Sequence, residues 1–394
     1  MSLLESIRAG RQLRNVGGIQ HDSSAPKTVD TLKLSDEYDS LVLQANIENW
    51  GSALAEAGFT PKTLMVPLSV EQGRLLLKAY EELDKDAKKA VVDNAREEYL
   101  ASGLTSSPLL PDEARLLEEL GGGIQRAIDE LSDKADGEKG EGGCFVKLSS
   151  RSPKDAAARS GVFESYYARE LRRIREDGED LDEQRKLWIL CESEGAALRF
   201  RDAASVVRAL VLSERVWQDM TLALRHPENW QQNVILRKWE PVPIDMEFRT
   251  FVFEGKMTAI SQYAYQLYSP RLNDPAQRES AVSAMKDLFA KLWLILSETF
   301  SGKCVLDFGV IPPNPSSKPD TPWRAILIEV NPFEETTDGA LFSWTKERGI
   351  LEGKKEDLEY PAVRVTETKR GGALAMVPKG WKEVVEKVES RTPL

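Results

Sequence analysis

The sequence predicts an α+β fold in which antiparallel sheets are flanked by helices, and two observations support this expectation. The second half of the 394-residue chain contains short apolar runs separated by turn residues, and Glu254-Gly255 joins two of these runs as in a β-hairpin. Much of the first half is rich in Ala, Glu, Lys and Leu and is interrupted by Gly and Pro, as helices joined by loops are. Antiparallel strand pairs combined with separate helices are typical of the α+β class.

The individual elements follow from the periodicity of apolar residues. Residues 63–68 alternate as a strand does and are followed by an apolar helical pattern that reaches Tyr80. Helices separated by a loop are expected from Glu81 to Asp136, a pair of charged surface helices from Glu170 to Lys186, and a long helix from Glu279 to Thr299. The other predicted strands are residues 144–148, 233–239, 247–253, 256–260, 304–308 and 325–330.

Composition and charge limit the classes of function. Lys and Arg number 53 against 64 Asp and Glu, a net charge of -11, which argues against general affinity for nucleic acids. The 3 cysteines and 2 histidines exclude a Cys/His zinc site and argue against a disulfide framework, as expected in the reducing cytoplasm. The chain contains neither an uncharged apolar run of about eighteen residues nor the apolar core of a secretory signal, so we expect a cytoplasmic protein without a membrane span.

Shifts in composition divide the chain into four expected parts. Residues 1–16 form a short segment with an apolar helical face, and residues 17–40 form a flexible linker that contains Gly, Ser and Pro without a regular period. Residues 41–350 contain the predicted helices and strands and form the folded body. Residues 351–394 form a lysine-rich C-terminal extension.

Three oxygen-bearing side chains are predicted to meet at one end of a sheet. Asp307 ends one apolar strand, and Glu329 and Asn331 end the next, where a spacing of two places both side chains on the same face. If the two strands form a hairpin, these oxygens match the ligands that Mg²⁺ takes beside water and phosphate. Alternatively, an acidic residue at a strand end simply faces solvent.

A second group of side chains carries positive charge. Lys147 lies on a predicted strand, and the loop of residues 149–155 that follows contains hydroxyl groups, backbone amides and Lys154, all of which can hold phosphate oxygens. Taken singly, charges on adjacent strands are also typical of surface salt bridges. These further charged residues are Arg237, Lys238, Glu247 and Arg249.

Several short motifs follow one another along the chain. They are Lys147 to Ala156, Leu236 to Trp239, Glu247 to Val252, Ile260 to Gln262, Glu329 to Phe333, Thr337-Asp338 and Leu341 to Trp344. By these motifs and their order, the chain from roughly Asn46 to Trp344 resembles the cell division cycle protein 123 family. The resemblance implies an ATP-grasp fold that binds ATP with magnesium. It also implies an assembly chaperone for translation initiation factor two, with the gamma subunit as the expected partner.

The resemblance also implies roles for individual residues. Phosphates would be held by Lys147, Ser149, Ser152, Lys154 and Asp155, the adenine side by Arg237, Lys238 and Trp239, and the metal by Asp307, Glu329 and Asn331, with Glu247 as a further nucleotide-binding residue. The chain departs from the family pattern where Tyr263 and Ala264 replace Arg and Asp, and where Glu329 replaces Asp. The second change keeps a carboxylate ligand, whereas the first alters a polar site.

The alternative function is an ATP-grasp ligase. In that reaction ATP phosphorylates a carboxylate, and an amine then attacks the acyl phosphate. Arg249 would act as a catalytic residue by stabilising the transferred phosphoryl group together with magnesium.

In the N-terminal segment Leu3, Leu4 and Ile7 share a helical face and Gly10 ends the helix, as in a helix that docks into a groove. With these residues the segment resembles a WASP homology 2 motif, which binds the actin monomer. The other predicted actin-binding residues are Arg8, Leu13, Arg14 and Val16. The segment would act as an anchor for actin or, in a ligase, recruit it as a protein substrate. The alternative is an N-terminal helix packed on its own domain.

Overall fold

The structure is a computed structural model that describes residues 44–90, 111–132, 142–225, 227–314, 321–369 and 371–391. The described residues divide into two compact units, which we name after their sheets. The five-stranded unit contains the described residues up to Pro61 together with Leu181–Trp188 and Glu240–Pro378. The three-stranded unit contains those of Lys62–Asp180, Ile189–Trp239 and Lys379–Leu394.

Helices and strands are numbered along the described residues. The strands are β1 (Thr63–Leu68), β2 (Cys144–Leu148), β3 (Gln232–Lys238), β4 (Glu247–Phe253), β5 (Lys256–Gln262), β6 (Cys304–Ile311), β7 (Arg324–Asn331) and β8 (Ala362–Arg364). The α-helices are α1 (Gly51–Glu56), α2 (Val70–Ala90), α3 (Pro111–Leu131), α4 (Gly161–Glu176), α5 (Glu183–Ala197), α6 (Ala203–Leu212), α7 (Glu214–Ala223), α8 (Pro270–Asn273), α9 (Pro275–Thr299), α10 (Arg348–Leu351) and α11 (Lys379–Arg391).

The three-stranded unit is an antiparallel sheet of order β1-β3-β2 with α3 on one face. Helix α3 buries Leu120, Ile124 and Ile128, whose spacing places them on a single helical face. Gly123 of the same helix allows a close approach to Val66 of β1, because a Cβ at Gly123 would lie 3.0 Å from the Val66 side chain. The face that carries Val66 is therefore closed by apolar packing.

The five-stranded unit has the strand order β7-β6-β4-β5-β8, in which only β8 runs parallel to its neighbour. Glu254 and Gly255 join β4 to β5 with φ values of 50° and 72°, the left-handed conformation that a tight hairpin turn requires. Helix α9 packs on β6 and β7. It begins after Asp274, whose carboxylate accepts a hydrogen bond from the backbone nitrogen of Gln277 at 2.9 Å.

An aromatic cluster is buried on one face of the five-stranded sheet. Phe251 of β4 lies with ring centroids 5.4 to 6.4 Å from those of Phe333, Phe342 and Trp344, which follow β7 in the sequence. Because side chains two residues apart on a strand share a face, Arg249 lies on the same face as this cluster.

The predicted strands are present as β1 to β7, and their ends differ by a few residues from those expected. Helix α9 begins at Pro275 rather than Glu279, because Asp274 caps it and proline suits the first helical turn. The predicted C-terminal extension contains the strand β8 and the helix α11. The sequence did not indicate β8 because a strand of this length is too short to show a period.

The predicted actin-binding segment of residues 1–16 and the predicted linker of residues 17–40 lie outside the described residues. No helix of the described residues has both the length and the apolar character needed to cross a membrane.

Candidate functional site

A row of polar side chains crosses the five-stranded sheet on one face. Glu329 of β7 is opposite Asp307 of β6, and Asp307 is opposite Arg249 of β4. Arg249 is in turn opposite Ser261 of β5, which pairs with Arg364 of β8. Because residues directly opposite one another share a face, these five residues form one continuous line, the polar row.

Arg249 and Asp307 form a two-pronged ion pair at the centre of the polar row. Arg249 Nε donates to Asp307 Oδ1 at 2.8 Å and Nη2 donates to Oδ2 at 2.7 Å. Both residues are buried, with 6% and 1% of their surfaces exposed. Burial alone would lower the pKa of Arg249, but the charge and the hydrogen bonds of Asp307 outweigh burial and hold this pKa above its ordinary value. Arg249 therefore keeps its charge although it is out of water.

Neighbouring groups fix the orientation of this ion pair. Arg249 Nη1 donates to the backbone oxygen of Asp338 at 3.0 Å, so each nitrogen of the guanidinium has a protein acceptor. The ring of Tyr263 lies 5.0 Å from the guanidinium carbon, within the range of a cation–π contact. Asn331 Nδ2 donates to Asp307 Oδ2 at 3.1 Å. Arg249 is thus placed to hold the Asp307 carboxylate.

The structure brings the three predicted metal ligands together. Asp307 and Glu329 are directly opposite one another on β6 and β7, and Asn331 is within hydrogen-bonding distance of Asp307. Within the described residues there is no group of three or more His, Cys, Asp or Glu side chains arranged to hold a metal ion. Any ion at this place would therefore combine two carboxylates and an amide with ligands from outside the chain.

The other predicted nucleotide-binding residues, apart from Glu247, lie in the three-stranded unit. Phe145 of β2 is opposite Arg237 of β3, and Lys147 is two residues further along β2, so Lys147 and Arg237 share a face. This face is the one opposite to that of Val66, and the two residues are 5% and 4% exposed. Two cations are thus buried within one small area of this sheet.

The loop of residues 149–155 is attached to helix α7. The Asp155 carboxylate accepts hydrogen bonds from Ser213 Oγ at 2.6 Å and from the backbone nitrogens of Glu214 and Arg215 at 2.7 and 3.3 Å. These nitrogens begin α7, so Asp155 stabilises the start of that helix. Ser149 Oγ accepts a hydrogen bond from the backbone nitrogen of Asn233 at 3.0 Å.

Further contacts connect this loop with its surroundings. Arg151 Nε donates to Asp219 Oδ1 of α7 at 2.8 Å. Burial raises the pKa of Glu194, against the opposing effect of the charges of Lys154 and Arg215. Ser152 is buried. The loop therefore has a fixed shape, with Lys154 near a carboxyl group on α5.

The remaining predicted nucleotide-binding residues lie close to the ends of strands. The centroid of the Trp239 ring lies 5.6 Å from the guanidinium carbon of Arg199. The backbone nitrogen of Trp239 donates to the backbone oxygen of Gly143 at 3.1 Å, and the backbone nitrogen of Lys238 donates to the backbone oxygen of Lys62 at 2.8 Å. Glu247 is the first residue of β4 and accepts at its backbone oxygen from Tyr263 at 2.9 Å.

Two members of the polar row are not marked by the sequence pattern. Ser261 lies within the Ile260 to Gln262 motif, which assigns it no role, and Arg364 lies on β8, which no apolar alternation marks. Only the register between strands far apart in the sequence connects these residues with Asp307.

Comparison with known proteins identifies the family. The model of the D123 family matches residues 187–383, half of the chain. A translation initiation factor eIF2 assembly protein from Xenopus laevis is 30% identical over 145 residues, 35% of this chain and 38% of that protein. A cell division cycle protein 123 from Candida glabrata is 30% identical over 148 residues, 36% of each protein. The chain therefore belongs to the D123 family, and the matched segment spans little more than a third of these relatives.

The fold is also found in a solved structure. The C-terminally truncated Cdc123 from Schizosaccharomyces pombe superimposes with a TM-score of 0.51 at 21% identity, covering 82% of this chain and 96% of that chain. Its fold is of the ATP-grasp type, so the predicted α+β, ATP-grasp class is confirmed.

Proposed function

We propose that this member of the D123 family binds ATP with magnesium and assists the assembly of translation initiation factor two in the cytoplasm. The name of the Xenopus laevis relative supports the assembly function. The main support for a nucleotide site is the buried Asp307 carboxylate, to which Asn331 donates a hydrogen bond and opposite which Glu329 lies. All three residues lie inside the region that the family model matches.

The side-chain oxygens of Asp307, Glu329 and Asn331 fit a magnesium ion. Mg²⁺ in nucleotide sites takes one or two carboxylates and completes its shell with water and phosphate oxygens. Asp307 and Glu329 supply the carboxylates, and Asn331 supplies an amide oxygen. When bound, the ion would offset the charge of the phosphates. Because Glu329 is only partly buried whereas Asp307 is buried, Glu329 is the carboxylate that can be changed with less effect on the core.

The phosphates also need cations from the chain itself. Lys147 is buried on a strand, which makes it a fixed positive charge, and Lys154 lies on the rigid loop after β2. We assign phosphate binding to Lys147 and Lys154. Further nucleotide contacts are assigned to Ser149, Ser152, Asp155, Arg237, Lys238, Trp239 and Glu247.

The contacts of Arg249 favour binding over phosphoryl transfer. In a ligase, this guanidinium would face the transferred phosphoryl group. Here all three of its nitrogens donate to Asp307 or Asp338. Arg249 therefore fits the role of a residue that positions Asp307, and an assembly factor that retains ATP is the function that the site supports best.

Calorimetric titration of the full chain with ATP and Mg²⁺, followed by analysis of the nucleotides, tests this function. We expect saturable binding that requires Mg²⁺ and leaves ATP intact. Glu329→Gln should weaken binding by about tenfold or more, since one of two carboxylate ligands is lost. The matched control is Glu240→Gln, which removes a carboxylate that pairs with Arg324 in the same unit. Release of ADP that depends on an acceptor would contradict this function and favour the ligase. Failure of the wild-type chain to bind would contradict both.

For the N-terminal segment we propose binding to the actin monomer. The support is the sequence pattern of Leu3, Leu4 and Ile7 followed by Arg8, Leu13, Arg14 and Val16. The full chain should bind monomeric actin in a fluorescence titration, and the variant Leu4→Ala/Ile7→Ala should bind about tenfold more weakly, because two apolar anchors are lost. Equal affinity of the two proteins would contradict this assignment. The intact mass of actin after incubation with ATP shows whether actin is modified, as a ligase would require.

A further inference from the structure

The segment that follows β7 is hydrogen-bonded to the polar row and contains Glu347, the ion-pair partner of Arg364. We call residues 332–347 the strap. Its rings of Phe333, Phe342 and Trp344 belong to the buried aromatic cluster. Within the strap, Trp344 Nε1 donates to the backbone oxygen of Thr337 at 2.6 Å. The strap is therefore a folded element.

The strap contacts the polar row through its backbone. Arg249 Nη1 donates to the oxygen of Asp338, as described above, and the Leu341 nitrogen donates to Ser261 Oγ at 3.1 Å. Arg364 Nη1 donates to the oxygen of Leu341 at 2.9 Å. Asp338 Oδ1 accepts from the nitrogen of Ala340 at 3.0 Å and so closes the turn between these contacts. Three members of the polar row thus bind one short turn.

Arg364 also forms an ion pair with Glu347, the last residue of the strap. Arg364 Nη1 and Nη2 donate to the two Glu347 oxygens at 2.8 and 2.5 Å. The Arg364 guanidinium lies 4.2 Å from the ring centroid of Phe342, and Glu347 accepts from the nitrogen of Ser343 at 2.9 Å. Each partner of the ion pair thus also contacts other residues of the strap.

The turn of the strap is strained. Ala340 has φ of 52°, in the left-handed region that disfavours residues other than glycine. A Cβ at Gly339 would lie 2.3 Å from the backbone oxygen of Phe342, so only glycine fits there. A strained turn persists only where its surroundings hold it in place. The surroundings here are the two arginines and Ser261.

We infer that Arg364 and Glu347 are positioning residues of the candidate site, acting through the strap on Arg249 and through Arg249 on the Asp307 carboxylate. Arg364 and Glu347 fix the turn, and the turn presents the Asp338 oxygen to Arg249. Arg249 can then hold both oxygens of Asp307 in one geometry. The effect on nucleotide affinity rests on the proposed function, whereas the hold on Arg249 is a property of the chain alone.

The test uses the full chain without nucleotide, uniformly isotope-labelled on nitrogen and observed by NMR. The Arg249 Nε–H, which is buried and bonded to Asp307, should exchange slowly with water, and its signal is assigned by its loss in Arg249→Lys. In Arg364→Gln and in Glu347→Gln we expect this exchange to accelerate by about tenfold, because the strap no longer fixes Arg249. The control Arg324→Gln breaks another Arg–Glu pair in the same unit and should leave the exchange unchanged.

Three results would overturn the inference: unchanged exchange of Arg249 in both variants, equal acceleration in Arg324→Gln, or unchanged exchange of the Ala340 and Leu341 amides. In a second arm, Arg364→Gln should weaken binding of ATP with Mg²⁺ by about tenfold, because the carboxylate is no longer preorganised. If wild-type protein does not bind ATP, the proposed function fails, and the exchange of Arg249 alone decides the inference. If it binds and Arg364→Gln binds equally well, the positioning role is contradicted.

Discussion

Asp307 in the five-stranded unit and Asp155 in the three-stranded unit are both carboxylates with multiple hydrogen bonds, but their donors differ. Asp307 accepts from the side chains of Arg249 and Asn331. Asp155 accepts from the hydroxyl group of Ser213 and from backbone nitrogens at the start of α7. The donors of Asp307 are side chains that are held in turn by other strands and by the backbone oxygen of Asp338, whereas two of the donors of Asp155 are backbone groups of a helix. Asp307 is therefore held in place beside Glu329, and Asp155 fastens a loop to a helix.

Removal of the Asp307 charge should have the largest effect on stability. Asp307→Ala leaves the buried Arg249 without its counter-charge, and we expect a loss of about 3–5 kcal/mol in the free energy of unfolding. Urea denaturation measures this loss. The double variant Asp307→Leu/Arg249→Met removes both charges and should recover most of the stability. A double variant as unstable as Asp307→Ala would mean that packing, not charge, dominates here.

Removal of the Asp155 carboxylate should have an intermediate effect. Asp155→Ala leaves the first backbone nitrogens of α7 without their acceptor, and the expected loss is about 1–2 kcal/mol. Asp155→Asn keeps an acceptor oxygen and should recover at least half of it in the same urea measurement. Equal losses in the two variants would show that the negative charge matters more than the helix cap.

The smallest effect is expected at the Arg364–Glu347 pair, and it should depend on pH. The hydrogen bonds from Arg364 lower the pKa of Glu347 below its ordinary value of 4.5 in the folded state. The pair therefore contributes stability at a pH above 4.5 and loses this contribution as the pH falls through the lower, folded-state pKa. Glu347→Gln should cost about 0.5–1 kcal/mol at neutral pH, because the pair is partly exposed.

The pH dependence is checked by urea denaturation of wild type and Glu347→Gln over a series of acidic pH values. The two stability curves should converge as Glu347 becomes protonated in the folded wild-type protein. A constant difference between the curves at all pH values would contradict an electrostatic contribution of this pair. An increasing difference toward low pH would reverse the expected sign.

The sequence revealed much of the fold because strand signals are local. Apolar runs identified β1 to β7, and the polar residues that interrupt them included Asp307, Glu329, Asn331 and Arg249. Sequence reasoning could not find the order β7-β6-β4-β5-β8, which places Arg249 beside Asp307 although 58 residues separate them. The partners of Arg249 depend on this non-local pairing, so a role in phosphoryl transfer was an equally good prediction from the sequence.

The strap shows a second limit of sequence reasoning. Arg364 lies on a strand of three residues, which is too short to show alternation, and Glu347 lies among charged residues typical of a solvated surface. Their pairing arises because β8 aligns with β5 at the edge of the sheet. The turn at Gly339 and Ala340 has no distinct sequence signal, because alanine normally avoids positive φ. Such features emerge only from the packed structure.

The most direct measurement is the affinity of the full chain for the gamma subunit of translation initiation factor two, with and without ATP and Mg²⁺. We expect that nucleotide tightens the complex, that ATP is recovered intact, and that Glu329→Gln loses the nucleotide effect while keeping the affinity seen without nucleotide. An affinity that is the same with and without nucleotide would contradict the proposed function, as would ADP formation in step with the joining of an acceptor.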